Sequence, residues 1–121
     1  MIEKLAELVN RNANLVRRGR RVDTTFLVEV GEDGYLVRIA EGRVASVKRG
    51  PFTTPSYSFA LRGTREAWEK FWQAVPPPGF NDLFALSKRK ALRIEGDLHP
   101  FMSNLLYFKD VLAAPRQEAV S

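Results

Sequence analysis

The segment spanning residues 92–114 constrains the fold of this 121-residue chain more than any other. Residues 92–95 have strand propensity, Gly96 and Asp97 form a turn, and a helix-like stretch begins at Pro100. Its apolar side chains are spread round most of a helical wheel, more widely than packing against a single sheet requires. They are Phe101, Met102, Leu105, Leu106, Tyr107, Phe108, Val111 and Leu112. We therefore expect a second apolar partner for this helix, which could be another helix, a second subunit or an apolar ligand.

Length and composition favour one globular domain. The chain is 45% hydrophobic and 27% charged, and its length suits a single core. We expect residues 1–115 to form this domain and residues 116–121 to be a frayed tail. The absence of cysteine excludes disulfides and thiolate chemistry. The first residues do not resemble a signal peptide, and no apolar run approaches the ~20 residues of a membrane span, so we expect a cytoplasmic protein.

The first half of the chain predicts one helix and a three-stranded meander. Apolar residues at helical spacing predict an amphipathic helix from Ile2 to about Val16. Three alternating runs at residues 24–30, 35–39 and 43–48 predict antiparallel strands joined by short turns. Two prolines in residues 50–55 prevent regular structure there, and this segment is long enough to cross over the sheet.

The second half predicts a fourth strand at residues 57–62 and further helices. Thr64 is a good N-cap for a helix that carries four inward-facing apolar residues, which are Trp68, Phe71, Trp72 and Val75. Prolines at positions 76–78 end it, and Asn81 is expected to cap a short helix with Leu83, Phe84 and Leu86 facing inward. With the strand at residue 92, this order predicts a two-layer α+β fold, in which helices cover one face of a five-stranded, mainly antiparallel sheet.

The sequence offers little for catalysis. His99 is the only histidine, and Glu95 and Asp97 are two positions apart at an expected turn, where Asp97 is better explained as a cap. No second histidine or cysteine supports a metal site, and the glycines form no phosphate-binding motif. We therefore expect a non-catalytic protein without a metal or cofactor.

Two basic clusters account for much of the net charge of +5. They are Arg17, Arg18, Arg20 and Arg21, and Lys88, Arg89 and Lys90. Such clusters serve anionic lipid headgroups or a membrane surface, serve nucleic acid, or form a solvated face. The aromatic residues fall at core spacing, opposite the charges, so nucleic-acid binding is not expected.

Residues 57–114 resemble the sterol carrier protein 2 (SCP2-like) domain family. The resemblance is carried by the sequence Leu-Arg-Ile-Glu-Gly-Asp-Leu at residues 92–98, which is similar to the strand and turn that precede the apolar C-terminal helix of that family. The upstream order of strand, helix and short helix agrees as well. The family often has glycine just before this strand, where this chain has Lys90.

The resemblance implies a hydrophobic tunnel that binds a sterol, a fatty acid or a fatty acyl-CoA. Its expected lining is Trp68, Phe71, Trp72, Phe84, Leu92, Ile94, Phe101, Met102, Leu105, Leu106 and Phe108. Because Trp68, Trp72 and Phe108 are bulky, a shortened or filled tunnel is an alternative. The apolar excess could equally be core packing, or serve as a protein interface, which leaves both a monomer and a homodimer open.

Overall fold

The computed structural model of the protein describes residues 2–120, and its side chains through residue 118. A 3-10 helix at Ile2–Lys4 precedes the other elements. These are α1 (Leu5–Asn10), α2 (Ala13–Arg18), β1 (Asp23–Val30), β2 (Asp33–Ala40), β3 (Arg43–Arg49), β4 (Phe59–Gly63), α3 (Arg65–Phe71), α4 (Leu83–Lys88), β5 (Leu92–Gly96), α5 (His99–Ser103), α6 (Leu105–Ala113) and α7 (Arg116–Val120).

The five strands form one sheet in the order β3-β2-β1-β4-β5. Strands β1 and β4 are parallel, and the other neighbouring pairs are antiparallel. The parallel pair arises because residues 50–58 cross over the sheet before the chain re-enters it beside β1, with Phe26 opposite Phe59. The predicted two-layer α+β class with a mainly antiparallel sheet is confirmed.

The helices bury one face of the sheet. Phe26 and Phe59 are fully buried on that face, and their rings stack with centroids 5.1 Å apart. Because successive side chains on a strand alternate, Leu27 and Ala60 point to the opposite face. The crossover segment lies against that second face, where Phe52 and Leu27 flank Gly34. The core therefore lies between the sheet and the helices, and a smaller apolar layer lies under the crossover.

The predicted first helix is divided in two. α1 ends at Asn10, and Asn12 begins α2 by accepting a hydrogen bond from the Leu15 amide at 3.1 Å through its side chain. Asn10 instead exchanges hydrogen bonds with the backbone of Val44 on β3. These two asparagines break a segment that apolar spacing predicts to be continuous, because their side chains bind backbone groups more strongly than they favour a helix interior.

The expected inward position of Val75 is wrong. α3 starts at the predicted cap, where the Thr64 hydroxyl accepts a hydrogen bond from the Ala67 amide, but it ends at Phe71. Val75 is 84% exposed. It directly precedes Pro76, and a residue before proline is disfavoured in helical conformation, so the helical spacing does not extend this far.

Two further expectations about helix ends require correction. The cap of α4 is Asp82 rather than Asn81, and its carboxylate accepts a hydrogen bond from the Phe84 amide. The expected last helix is interrupted at Asn104 and becomes α5 and α6. The segment expected to be a frayed tail includes α7, and the Arg116 guanidinium at its start binds the backbone carbonyls of Phe71 and Asn81.

Candidate functional site

Most of the side chains that the sequence predicts to line a pocket pack between the sheet and the helices. Phe101 and Phe108 enter this region from α5 and α6 and are fully buried. Their rings lie 5.2 and 5.3 Å from that of Phe59, and Phe108 also meets Phe26 edge-on at 5.5 Å. These centroid distances are those of packed aromatic pairs. The aromatic side chains therefore fill the region in which the resemblance implies a tunnel.

The two tryptophans extend this layer and bind backbone carbonyls on either side of it. Trp68 and Trp72 stack with centroids 5.1 Å apart, one helical turn from each other. The Trp68 indole N–H donates to the Glu29 carbonyl on β1, and the Trp72 indole N–H donates to the Leu112 carbonyl on α6, each at 2.8 Å. The tryptophans thus connect the sheet, α3 and the C-terminal helices.

Nine of the eleven expected lining residues belong to this core. Trp68, Phe71, Trp72, Leu92, Phe101 and Phe108 are buried, and Phe84, Ile94 and Leu105 pack against them with part of their surface exposed. The other two, Met102 and Leu106, do not belong to this core, because these side chains are 52% and 71% exposed. They occupy the solvent side of α5 and α6, opposite the side that carries Phe101 and Phe108.

Tyr107 anchors α6 to the hairpin between β2 and β3. Its hydroxyl donates to the Gly42 carbonyl at 2.6 Å, and its ring packs against Gly19. Burial raises the pKa of Tyr107 to about 12. Apolar residues are therefore distributed round most of the helical wheel of this segment for two reasons. Tyr107 packs against a loop, while Leu106 and Met102 are in contact with solvent.

A cleft of about 440 Å³ lies on the opposite face of the sheet, where the sequence predicted no site. Leu27, Phe52 and Tyr57 form its apolar part. Arg62 crosses it, with its guanidinium paired to Glu29 and Glu95 and bound to the Tyr57 hydroxyl at 2.9 Å. Phe52 and Tyr57, the two aromatic residues of the proline-containing crossover segment, are the sequence feature that could have indicated this cleft. Because the Arg62 guanidinium is already paired with two carboxylates, it is not available to bind an anionic ligand in this cleft.

The two predicted basic clusters lie in different settings. In the first, Arg18 forms an ion pair with Asp110 on α6, and Arg20 donates to the Arg17 carbonyl at the end of α2. In the second, the Arg89 guanidinium lies over the Phe80 ring, 4.5 Å from its centroid. Lys90 adopts a left-handed backbone conformation with φ of 61°, which glycine adopts with the least strain.

The residues considered for catalysis do not converge. Glu95 pairs with Arg62 on the face of the sheet away from the helices. Asp97 instead accepts a hydrogen bond from the His99 amide at the start of α5. His99 is exposed, with its Nε2 atom 3.4 Å from the Ser103 hydroxyl. Within the described part of the chain, no group of three or more histidine, aspartate or glutamate side chains could hold a metal ion, and no helix could span a membrane.

Comparison with known proteins gives matches in structure and none in sequence. No family model matches the chain, and no curated protein shows significant sequence similarity to it. The crystal structure of sterol carrier protein 2 aligns with a TM-score of 0.73 at 9% identity, covering 93% of this chain and 91% of that one.

Two further structures align over similar lengths. A conserved hypothetical protein from Thermus thermophilus gives a TM-score of 0.66 at 10% identity, covering 97% of this chain and 85% of that one. The UbiJ-SCP2 ubiquinone synthesis protein gives 0.61 at 16% identity, covering 94% of this chain and 91% of that one. The resemblance to the sterol carrier protein 2 family that residues 92–98 indicated is therefore confirmed at the level of the fold. This chain has the fold of sterol carrier protein 2.

Proposed function

We propose that this protein is a non-catalytic binding module for an apolar ligand, a sterol, fatty acid or fatty acyl-CoA, held between the sheet and helices α5 and α6. The proposal rests on one observation: in a chain with the sterol carrier protein 2 fold, a layer of aromatic side chains lies between the sheet and these two helices. Phe101 and Phe108 are its central side chains. Two neighbours of the same fold are described as a sterol carrier protein and a ubiquinone synthesis protein, which supports a lipid-related role.

Ligand entry in this proposal requires the aromatic layer to open. α5 and α6 are short and are separated at Asn104, whose φ of −131° is not helical. Outward movement of α6 would break the hydrogen bond from Trp72 to Leu112 and the one from Tyr107 to Gly42. The ligand would then replace the contacts that Phe101 and Phe108 lose with the sheet.

Burial of the ligand supplies the driving force. Each Å² of buried apolar surface contributes about 25 cal/mol, so a fatty chain covering a few hundred Å² gains several kcal/mol before the costs of association. Opening the closed layer subtracts from that gain. We therefore expect micromolar rather than nanomolar affinity, together with exchange of the ligand rather than permanent retention.

The basic clusters provide contacts for charged headgroups in this proposal. Arg17, Arg18, Arg20 and Arg21 form the first cluster, and Lys88, Arg89 and Lys90 form the second. A carboxylate or phosphate of the ligand, or an anionic membrane surface, has the complementary charge. The proposal includes a cytoplasmic location, which cell fractionation would test.

Native mass spectrometry of the purified protein tests the proposal directly, because a retained lipid adds a defined mass. For delipidated protein, titration with a fatty acid should change the tryptophan emission, since the Trp72 indole is bound to the helix that must move. Trp72→Phe should remove most of this signal and still bind fatty acid with a measurable heat, with no loss of affinity, because the bond that opening must break is already absent. If neither a retained lipid nor a heat of binding with fatty acids, acyl-CoA or sterols is found, the proposal is wrong.

The exposure of Met102 and Leu106 favours a second candidate, an interaction subunit that uses this apolar surface as a protein interface. A small interface of this kind would produce a homodimer or a complex with a larger protein. Sedimentation analysis distinguishes the two functions. A stable homodimer that Leu106→Asp converts to monomer would support the interface, and a monomer that binds lipid would support the carrier.

A further inference from the structure

The C-terminal helices have an apolar surface that contacts solvent. Among the described residues, the strongly exposed large apolar side chains are those of Val75, Met102 and Leu106. Val75 lies in the loop after α3, whereas Met102 and Leu106 lie four positions apart on α5 and α6. Two large apolar side chains are therefore exposed within five residues of the C-terminal segment.

The first basic cluster is connected to α6 near Leu106 through Asp110. Asp110 follows Leu106 by one helical turn on α6, so the two side chains are neighbours on the helix surface. The Arg18 guanidinium forms an ion pair with that Asp110 carboxylate. In addition, a Cβ atom placed on Gly19 would lie 2.1 Å from the Tyr107 ring, which shows that the arginine segment packs directly on α6.

The other arginines of the cluster keep their charge available. Arg17, Arg20 and Arg21 are exposed, and no ion pair between them and a carboxylate is found among the described residues. Asp110, the nearest acidic group identified on α6, is already paired with Arg18, and the neighbouring Lys109 pairs with Asp82. The cluster therefore has three exposed cationic side chains on the segment that packs on α6.

We propose that Met102, Leu106, Arg17, Arg20 and Arg21 form a docking face for an anionic lipid bilayer. The two apolar side chains enter the headgroup region, and the arginines bind lipid phosphates and carboxylates. An apolar segment flanked by basic residues is the pattern of proteins that bind in the plane of a membrane surface. This inference deepens the proposed lipid-binding function and rests on it for its purpose, since α6 would meet the membrane with its outer side while its inner side covers the ligand.

The contribution of charge sets the expected size of the effect. Each arginine close to an anionic surface raises the affinity about fivefold, so removal of two charges lowers it by roughly 25-fold. The attraction is screened over about 10 Å at 0.1 M salt, so binding should weaken as salt is added. The apolar pair adds a contribution that salt does not remove.

Co-sedimentation with phosphatidylcholine vesicles, prepared with and without phosphatidylserine, tests the docking face. The native protein should bind the vesicles that contain phosphatidylserine and bind pure phosphatidylcholine far more weakly. Arg17→Gln with Arg21→Gln should weaken binding roughly 25-fold. Met102→Ser with Leu106→Ser should weaken it at high salt as well. These side chains are exposed, so an unchanged melting temperature should confirm that each variant is folded.

Matched control variants remove the same charge or the same type of side chain from other surfaces. Lys48→Gln with Arg93→Gln removes two charges from the face of the sheet away from the helices, where Lys48 lies opposite Leu36 and Arg93 opposite Arg62. Val75→Ser removes an exposed apolar side chain that lies outside the docking face. Both controls should bind vesicles like the native protein.

Three results would overturn the inference. These are no binding to phosphatidylserine vesicles, equal losses in the docking-face and control variants, or conversion of a dimer to a monomer by Met102→Ser with Leu106→Ser. Failure of the lipid-binding function gives a different result. The protein would then still bind vesicles through the docking face but carry no lipid in native mass spectrometry, whereas Met102→Ser with Leu106→Ser in a functional carrier should weaken vesicle binding and still bind fatty acid in solution.

Discussion

The indole N–H of Trp72 donates a hydrogen bond to the backbone carbonyl of Leu112, 2.8 Å away, in a buried setting. This bond joins the C-terminal end of α3 to the last turn of α6. Trp72 also stacks on Trp68, whose own indole is bound to β1. The position of α6 over the sheet is therefore fixed by a polar contact as well as by apolar packing.

Trp72→Phe should lower the free energy of unfolding by about 1–3 kcal/mol, because the Leu112 carbonyl loses its buried donor while the ring is largely retained. Urea denaturation provides the measurement. Val75→Ala is the matched control, since Val75 is 84% exposed and its truncation should change stability by less than about 0.5 kcal/mol. Equal stability of Trp72→Phe and the native protein would show that this bond does not hold α6.

Phe108→Ala should destabilise the protein by about 3–5 kcal/mol, because it leaves a cavity between α6 and the rings of Phe26 and Phe59. Leu106→Ala, two positions earlier, should cost less than about 0.5 kcal/mol because Leu106 is exposed. Thermal denaturation compares the two. Similar losses in both variants would contradict the assignment of inner and outer sides to this helix.

Tyr107 should make stability depend on pH in the alkaline range. Burial raises the pKa of Tyr107 to about 12, against an ordinary value of about 10 in the unfolded chain. The folded state thus favours the neutral phenol. Its stabilising contribution is complete below pH ~10 and is lost as the pH rises through ~12.

Tyr107→Phe checks this expectation. The variant lacks the hydrogen bond to the Gly42 carbonyl and should be less stable by about 1 kcal/mol near neutral pH. The difference from the native protein should become smaller between pH ~10 and ~12, because only the native protein has a phenol whose ionisation favours the unfolded chain. Urea denaturation across this range measures it, and a constant difference would argue against a perturbed Tyr107.

Gly42→Ala should be one of the most destabilising single-methyl changes in the chain. Gly42 has φ of 80°, and a Cβ atom there would lie 2.3 Å from the Val16 carbonyl oxygen and 2.7 Å from the Gly19 carbonyl carbon. Strain of about 1–2 kcal/mol is thus added to an overpacking cost of about 1–3 kcal/mol. Circular dichroism with urea denaturation measures the loss.

Gly31→Ala separates these two causes. Gly31 also has a positive φ, of 63°, but its nearest neighbour to an added Cβ is the Arg65 Cβ at 3.5 Å. It should therefore show the backbone strain without the overpacking. A loss in Gly31→Ala as large as that in Gly42→Ala would indicate that close packing of α2 against the hairpin is not important.

Several local features were predictable because neighbouring residues decide them. Alternation set the faces of the first two strands, and Thr64 capped α3 as expected. The core positions of Trp68 and Phe71 followed from their spacing along that helix. These features depend on hydrogen bonds and periodicity within a few residues, so they can be read without knowledge of the rest of the fold.

Other features depended on partners distant in sequence. The side chain of Asn10 binds Val44, 34 positions away, and Arg116 binds the Phe71 carbonyl, 45 positions away. The apolar part of the cleft on the far face exists because Phe52 is brought against Leu27 by the crossover. Helical spacing did not predict these contacts, and it predicted that α3 would continue to Val75, beyond its observed end at Phe71.

Local sequence is enough to specify an α+β domain with an aromatic layer and an apolar C-terminal helix, since side-chain periodicity and turn residues encode such elements directly. Which side of that helix is buried depends on long-range packing, because the break at Asn104 and the contacts of Tyr107 and Trp72 fix its rotation. As a result, Phe101 and Phe108 fill the core, while Met102 and Leu106 are exposed at the surface.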